Sequence, residues 1–205
     1  MAAPTISFEF FPPKTPAATA NLWASVERLA PLGPRFVSVT YGAGGATRER
    51  TVAAIQAIRE RARLDVAGHL TCVGATAEET LRVARAYAKL GCRRIVALRG
   101  DPPKGQGAFA PHPGGFASSV ELIAALAREG WRDIVVGAYP ETHPEAATAE
   151  ADVDHLKRKL DAGGTAAITQ FFFETADFLR FRDRCARAGV TAPILPGILP
   201  VENFA

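Results

Sequence analysis

Residues 66–100, VAGHLTCVGATAEETLRVARAYAKLGCRRIVALRG, contain two apolar strand-like runs on either side of an amphipathic helical pattern. The start of the helix is marked by Thr76 and Glu79, which have the spacing of a capping box, in which two side chains satisfy free backbone amides. Gly91 follows the helical run, where a residue with positive φ ends a helix at low cost. A strand, a helix and a second strand in this order predict two parallel strands joined by a right-handed crossover.

The same alternation continues along the whole chain. It predicts strands over 5–11, 36–42, 66–72, 94–100, 134–140, 166–173 and 193–199, and helices over 18–32, 48–63, 77–90, 116–129, 149–162 and 176–188. The strands begin about 31 residues apart, and such even spacing favours a (β/α)8 TIM barrel over a doubly wound sheet. We therefore expect one α/β barrel domain over 1–205, with about seven strands and six helices.

The length of the chain leads to a further expectation about this barrel. Eight β/α units need about 250 residues, so we expect a chain of 205 residues to lack the last helix, strand and helix. The first and seventh strands would then each have an open apolar edge. Such edges favour pairing with another chain, a homo-oligomer included.

Composition excludes several classes of protein. The 205 residues carry 24 basic and 21 acidic side chains, a net charge of +3, without a block of like charges. A nucleic-acid partner is not expected, because phosphate binding needs a clustered basic surface. A membrane partner is not expected either, because the chain lacks a run of about eighteen apolar residues. The start, MAAPTISFEF, has no basic leader and no long apolar stretch, so we expect no signal peptide.

The cysteines indicate a reducing compartment. Cys72, Cys92 and Cys185 are odd in number and widely spaced, which argues against a disulfide framework and for the cytoplasm. His69 and Cys72 form an HxxC pair, but an offset of three places them on opposite faces of a strand. We therefore expect no metal site.

Polar residues recur near the carboxyl ends of the predicted strands, where a TIM barrel carries its active site. Alternation places Ser7, Glu9 and Phe11 on one face of the first strand, and Ala97, Arg99 and Asp101 on one face of the fourth, taken as the inward faces. Ionisable groups at such positions are costly unless they are paired or used. One interpretation is a set of satisfied barrel groups, such as an Arg99–Glu9 ion pair; the convergence of six residues favours a site instead. These six residues are Glu9, Thr40, His69, Arg99, Asp101 and Gln170.

Two carboxylates are candidates for acid–base chemistry. Glu9 stands among Phe8, Phe10 and Phe11, and apolar neighbours raise the pKa of a carboxyl, which makes Glu9 a candidate general acid near neutral pH. Asp101 ends the fourth predicted strand beside a segment rich in proline and glycine over 100–115, the kind of long loop that often serves binding. From the residues alone we infer a barrel enzyme that binds an extended, anionic molecule.

Three further motifs have more than one interpretation. Gly42-Ala-Gly44-Gly45 follows a strand but lacks the P-loop lysine, so a tight turn is favoured over a phosphate cradle. Tyr139 and His143 lie near one another after the fifth strand. The next helix places three charged or polar side chains on one face, which is either a solvated face or part of a site; they are Asp152, His155 and Lys159.

Eight motifs resemble those of the methylenetetrahydrofolate reductase family, in the family's order and over essentially the whole chain. They are FEFFPPK at 8–14, VTYGAGGATRERT at 39–51, HLTC at 69–72, LRGDPP at 98–103, AYPETHPEA at 138–146, LKRKLDAGG at 156–164, ITQFFFE at 168–174 and PGILPV at 196–201. The resemblance implies a TIM-barrel catalytic domain that holds FAD and uses NAD(P)H as co-substrate. The implied oxidoreductase acts on a CH–NH donor and reduces 5,10-methylenetetrahydrofolate to 5-methyltetrahydrofolate by a ping-pong mechanism, in support of methionine biosynthesis.

The resemblance also implies a role for individual residues. Glu9 corresponds to the family's general acid, and Asp101 to a carboxylate near both the flavin and the folate. Gln170 and Thr40 correspond to positions that contact the folate or the nicotinamide. Phe116 and His155 stand where the family's pattern has Tyr and Asn. The positions that correspond to FAD contacts are Tyr41, Ala43, His69, Arg99, Gly100, Asp101, Ala117, Tyr139, His143, Ala146, Asp152, His155, Arg158 and Lys159.

Two other functions remain open from the sequence. The first is a flavin-binding protein without folate turnover, because the expected barrel is incomplete. The second is another barrel enzyme, an aldolase or a phosphate-binding isomerase, which would need a Schiff-base lysine or a phosphate loop late in the barrel. The predicted strands show no interior lysine, which disfavours the second function.

Overall fold

The computed structural model describes residues 4–42, 48–101 and 109–200. The strands are β1 (Ser7–Phe10), β2 (Phe36–Val39), β3 (Val66–Thr71), β4 (Arg94–Leu98), β5 (Asp133–Ala138), β6 (Ala166–Phe171) and β7 (Ile194–Gly197). The helices are α1 (Pro16–Leu29, continued by a 3-10 turn, Ala30–Leu32), α2 (Arg48–Ala62), α3 (Ala77–Lys89), α4 (Ser119–Arg128), α5 (Ala149–Asp161) and α6 (Thr175–Arg187).

All seven strands belong to one parallel sheet, and the strand order in space is the order in the chain. A helix connects each strand to the next, so the described residues form a curved sheet with a helical outer layer. This arrangement is TIM-barrel-like. The predicted fold class, with about seven strands and six helices, is confirmed.

Local signals explain where the helices begin. The capping box predicted for α3 is present, because the Thr76 hydroxyl accepts from the Glu79 amide while the Glu79 carboxylate accepts from the Thr76 amide. The predicted starts of two other helices are wrong by two or three residues. Helix α1 begins earlier, at Pro16, because the Thr15 side chain caps it. Helix α4 begins later than predicted, because Ser118 is its N-cap.

The core has two parts, one on each face of the sheet. The inner face carries a cluster built from strand residues alone, including Phe36, Val96 and Val135. The larger cluster lies between the outer face and the helices, and it includes Ala97. The expectation that Ala97 belongs to the inward face of β4 is therefore wrong, because the inner residue is Val96, its neighbour in sequence.

A charged group fills the inner space at the amino ends of the strands. The Arg94 guanidinium stacks on the Phe36 ring, 4.1 Å from its centroid, and donates to the Asp133 carboxylate at 2.6 Å. Its side chain is only 11% exposed. Asp133 and the Phe36 ring replace part of the water that this cation has lost, while Nη1 is buried without a hydrogen-bond partner among the described residues and lies 3.9 Å from the Asp65 carboxylate.

A close contact between sheet and helix joins β3 to α3. The Tyr87 ring is fully buried against Gly68, and its hydroxyl donates to the His69 carbonyl at 2.9 Å. A Cβ atom added at Gly68 would overlap the Tyr87 ring. Glycine is therefore required here by the space available.

We predict that Gly68→Ala lowers the free energy of unfolding by about 1–3 kcal/mol, the usual cost of overpacking a core. Urea unfolding of the wild type and the variant measures this difference. The double variant Gly68→Ala/Tyr87→Leu provides the control, because the added methyl group then meets no aromatic ring. An equal cost of Gly68→Ala in both backgrounds would contradict overlap with Tyr87 as the cause.

Candidate functional site

A cavity of about 470 Å³ opens at the carboxyl ends of β4, β5 and β6. Its wall is formed by these strand ends, the segment that precedes α5, one face of α5 and the start of α4. The structure brings most of the predicted site residues together around this one space. They are Arg99, Gly100, Asp101, Ala117, Tyr139, His143, Ala146, Asp152, His155, Arg158, Lys159 and Gln170.

Helix α5 supplies one side of the cavity. Thr148 caps its first turn by accepting from the Ala151 amide, and the helical spacing then directs Asp152, His155 and Lys159 to the same side. Asp152 accepts from the His143 amide at 2.9 Å, so it also fixes the segment that precedes the helix. The predicted polar stripe therefore lines a cavity instead of facing bulk solvent.

Burial controls the charge of two side chains on this helix. Lys159 is buried, and its ammonium donates to the Gly137 carbonyl at 2.5 Å; burial lowers its pKa to about 8. Burial and the charges of Lys159 and Arg158 lower the pKa of His155 to about 4. His155 is therefore neutral at neutral pH, and its Nδ1 lies 3.3 Å from the Arg158 guanidinium, from which it accepts.

Arg99 sits at the opposite wall with a carboxylate partner. Its guanidinium donates through both terminal nitrogens to Glu145, at 2.5 and 2.9 Å, and lies over the Phe109 ring at 4.8 Å. The hydrogen bonds to Glu145 raise the pKa of Arg99 and lower the pKa of Glu145. The alternative pair of Arg99 with Glu9 is not what the structure shows.

The backbone around Arg99 explains its position beyond the end of β4. The Arg99 carbonyl accepts from the amides of Cys72 and Val73. Gly100 then has a φ of +84°, and a Cβ atom there would lie 2.8 Å from Cβ of Thr71. Only glycine fits this turn. Because β4 ends at Leu98, strand alternation does not extend to Arg99 and Asp101.

A second group of predicted residues lies near β1 to β3, with Glu9 and His69 on the inner face and Tyr41 packed against the outer core. The His69 Nε2 atom is 3.3 Å from Oε2 of Glu9. Thr40 accepts through its carbonyl from the Thr51 hydroxyl at 3.0 Å, and the Tyr41 hydroxyl accepts from Arg48 at 2.9 Å. These residues do not line the 470 Å³ cavity.

The expected electrostatics of Glu9 are wrong. The approach of the His69 imidazole holds the pKa of Glu9 below its ordinary value, although burial acts in the opposite direction. The phenylalanines do not surround the carboxylate, because strand alternation turns Phe8 and Phe10 to the helical side of the sheet, and Phe11 is 76% exposed. The apolar surroundings that the neighbouring phenylalanines predicted for the Glu9 carboxylate are therefore not those of the folded chain.

One predicted site residue lies outside the described part of the chain, and several residues that line the cavity were not predicted from the sequence. Ala43, a predicted cofactor contact, lies outside the described residues. Glu145 was missed, although its place in the segment THPEA, after the fifth strand, was a usable signal. Phe109 and the helix-start residues Ser118 and Ser119 also line the cavity and were missed.

The described part of the chain offers no group of three or more histidine, cysteine or acidic side chains that could hold a metal ion. Cys72 is buried in the outer core, on the side of the sheet away from Glu9, and burial raises its pKa to about 11. Among the described helices, none is both long and apolar enough to cross a membrane.

A parallel β/α sheet whose strands follow one another in chain order, with a cavity at its carboxyl edge, is the architecture of TIM-barrel-like proteins. Solved structures agree on the fold. Deoxyribose phosphate aldolase from Aeropyrum pernix gives a TM-score of 0.57 at 16% identity, covering 94% of this chain and 76% of that one. Dihydropteroate synthase from Xanthomonas albilineans gives 0.54 at 18% identity, covering 95% and 71%.

The chain belongs to the methylenetetrahydrofolate reductase family, whose model matches residues 1–205. The 5,10-methylenetetrahydrofolate reductases of Salmonella typhimurium and Escherichia coli are each 52% identical to it over 199 residues. A methylenetetrahydrofolate reductase (NADH) from Zea mays is 39% identical over 209 residues, covering 97% of this chain and 35% of the maize protein. The chain aligns over 97% of its own length with the two bacterial relatives and spans 65% of theirs.

The buried lysine gives a testable pH dependence. Between pH 8 and the ordinary value of 10.5 for Lys159, the unfolded chain binds more protons than the folded chain. The free energy of unfolding of the wild type, relative to Lys159→Met, should therefore rise with pH across this range, by about 1–3 kcal/mol. Urea unfolding of both proteins at several pH values measures the change.

The variant Lys157→Met provides the matched control. It removes a lysine from the same helix, but at a position where the side chain is exposed and paired with Asp161. An identical pH dependence for Lys157→Met and Lys159→Met would contradict burial of Lys159 as the cause.

Proposed function

We propose that this chain binds FAD and carries the chemistry by which NAD(P)H reduces 5,10-methylenetetrahydrofolate to 5-methyltetrahydrofolate. The observation that supports it most is the gathering of the family-matched positions around one cavity, in a chain 52% identical to two reductases. The reaction would follow a ping-pong order, in the cytoplasm, and its product would supply methyl groups for methionine synthesis.

The residues of the cavity fit a flavin dinucleotide. FAD carries an anionic pyrophosphate, and the cavity offers the cations of Arg158 and Lys159 on one wall and the start of α4 on another. Arg158 and Lys159 would hold the pyrophosphate and adenosine end. When bound, FAD would accept a hydride from NAD(P)H and deliver it to the folate.

The strand-end residues would serve the two substrates. Glu9 would give a proton to a folate nitrogen, which opens the methylene bridge to an iminium cation. The Asp101 carboxylate would stabilise this cation by its negative charge. Gln170, whose side chain lines the same cavity, would contact the folate and, in the other half-reaction, the nicotinamide, while Thr40 would face the nicotinamide.

A second candidate is a flavin-binding domain that does not turn over folate by itself. It is favoured by the sheet, because within the described residues β1 pairs only with β2, and β7 only with β6. A substrate pocket at the carboxyl edge would then lack one wall.

An absorption spectrum separates these functions. The purified chain is mixed with FAD, freed of unbound flavin and reduced anaerobically with NADH or NADPH, and the folate is then added. Bound flavin that bleaches and then reoxidises with the folate supports the reductase. Bleaching without reoxidation supports the second candidate, and the absence of bound flavin would rule out both.

Glu9→Gln should affect one half-reaction alone. The amide has no proton to give, so reoxidation of the flavin by the folate should slow by about 10²–10⁴-fold, while reduction by NAD(P)H is unchanged. Stopped-flow absorbance follows each half-reaction. Glu27→Gln, on the exposed side of α1, is the control, and equal losses in both half-reactions of Glu9→Gln would show that Glu9 has a structural role instead.

A further inference from the structure

Glu9 and His69 approach each other across the intervening strand β2. Register pairs Glu9 with Ser38 and Ser38 with Ala67, so the side chains of β1 and β3 meet on the inner face. The His69 Nε2 atom lies 3.3 Å from Glu9 Oε2. This nitrogen is buried and forms no hydrogen bond of regular geometry with the described residues, so its approach to Glu9 is an ion-pair contact.

The two partners differ in exposure. The His69 side chain is 9% exposed, whereas the Glu9 side chain is 46% exposed. His69 lies within β3, which pairs with a strand on each side, and its carbonyl accepts from the Tyr87 hydroxyl at 2.9 Å. The imidazole is thus held by the protein, while the carboxylate remains accessible from the carboxyl edge of the sheet.

We propose, on the basis of the proposed function, that His69 is a positioning residue for Glu9 and holds the proton that Glu9 passes to the folate. The Nε2–H bond of the imidazolium breaks as a Glu9 oxygen takes that proton. The new O–H bond of Glu9 breaks in turn as the folate nitrogen takes the proton. Neutral His69 and ionised Glu9 remain, and a proton from water restores the pair, with no change in oxidation state.

The environment of the pair explains why the Glu9 carboxyl group alone does not supply the proton for the folate. Contact with His69 holds the pKa of Glu9 below its ordinary value, so at neutral pH this carboxylate is ionised and has no proton to give. The neighbouring side chains on the inner face by strand alternation, Ser38, Thr40 and Thr71, carry no charge. Within the described inner face, His69 is therefore the titratable side chain next to Glu9.

Carbon-13 NMR of the glutamate carboxyls tests the contact without any substrate. Glu9 is assigned from the signal lost in Glu9→Gln, and its titration is compared between the wild type and His69→Gln. We expect the midpoint of Glu9 to rise in the variant, because the favourable interaction with the imidazole is lost. His112→Gln, at an exposed loop position, is the matched control and should leave Glu9 unchanged.

If His69→Gln does not fold, the titration of Glu9 in the wild type decides whether the contact exists. A Glu9 carboxyl that titrates in the wild type at or above the ordinary value for glutamate would overturn the proposed contact. An unchanged midpoint in folded His69→Gln would overturn it equally.

The kinetic test separates the proton role from the contact. In His69→Gln, reoxidation of the flavin by the folate should lose its pH dependence and slow by about 10²-fold more than reduction by NAD(P)H does in the same variant. Reoxidation at the wild-type rate would overturn the proton role. If the wild type itself shows no reoxidation by the folate, the proposed reaction fails and the proton role with it, whereas the NMR result still decides the contact.

Discussion

Parallel pairing in strictly sequential order is the constraint on which the rest of this structure depends. Because each strand pairs with the strand before it, every carboxyl end reaches the same edge of the sheet. Every crossover helix then returns the chain to the opposite edge. Residues separated by more than a hundred positions, such as Glu9 and Gln170, therefore belong to one face of the molecule, and the polar residues that end the strands need no further device to converge.

Much of the fold was predictable because its signals are local. The capping box of Thr76 and Glu79 and the helical spacing of Asp152, His155 and Lys159 depend only on residues a few positions apart, and each has the predicted geometry. These signals locate elements and faces. They do not determine which groups meet across strands.

The errors in the predicted site arose where partners are distant in sequence. Glu9 and His69 are sixty positions apart, so the sequence suggested an apolar setting where the structure has an imidazole. Arg99 and Glu145 meet across two walls of the cavity. The inward face of β4 was misjudged because the prediction extended strand alternation to Arg99 and Asp101, whereas the strand ends at Leu98.

The buried group at the amino ends of the strands has a consequence for how such a molecule can change over time. Arg94, Phe36 and Asp133 pack together at that end, whereas the cavity is lined from the opposite end. Substitutions that alter ligand preference therefore need not disturb the packing that holds the sheet together. The residues at the two ends of the strands can diverge at different rates, and new ligand specificities can arise while the packing at the amino ends is unchanged.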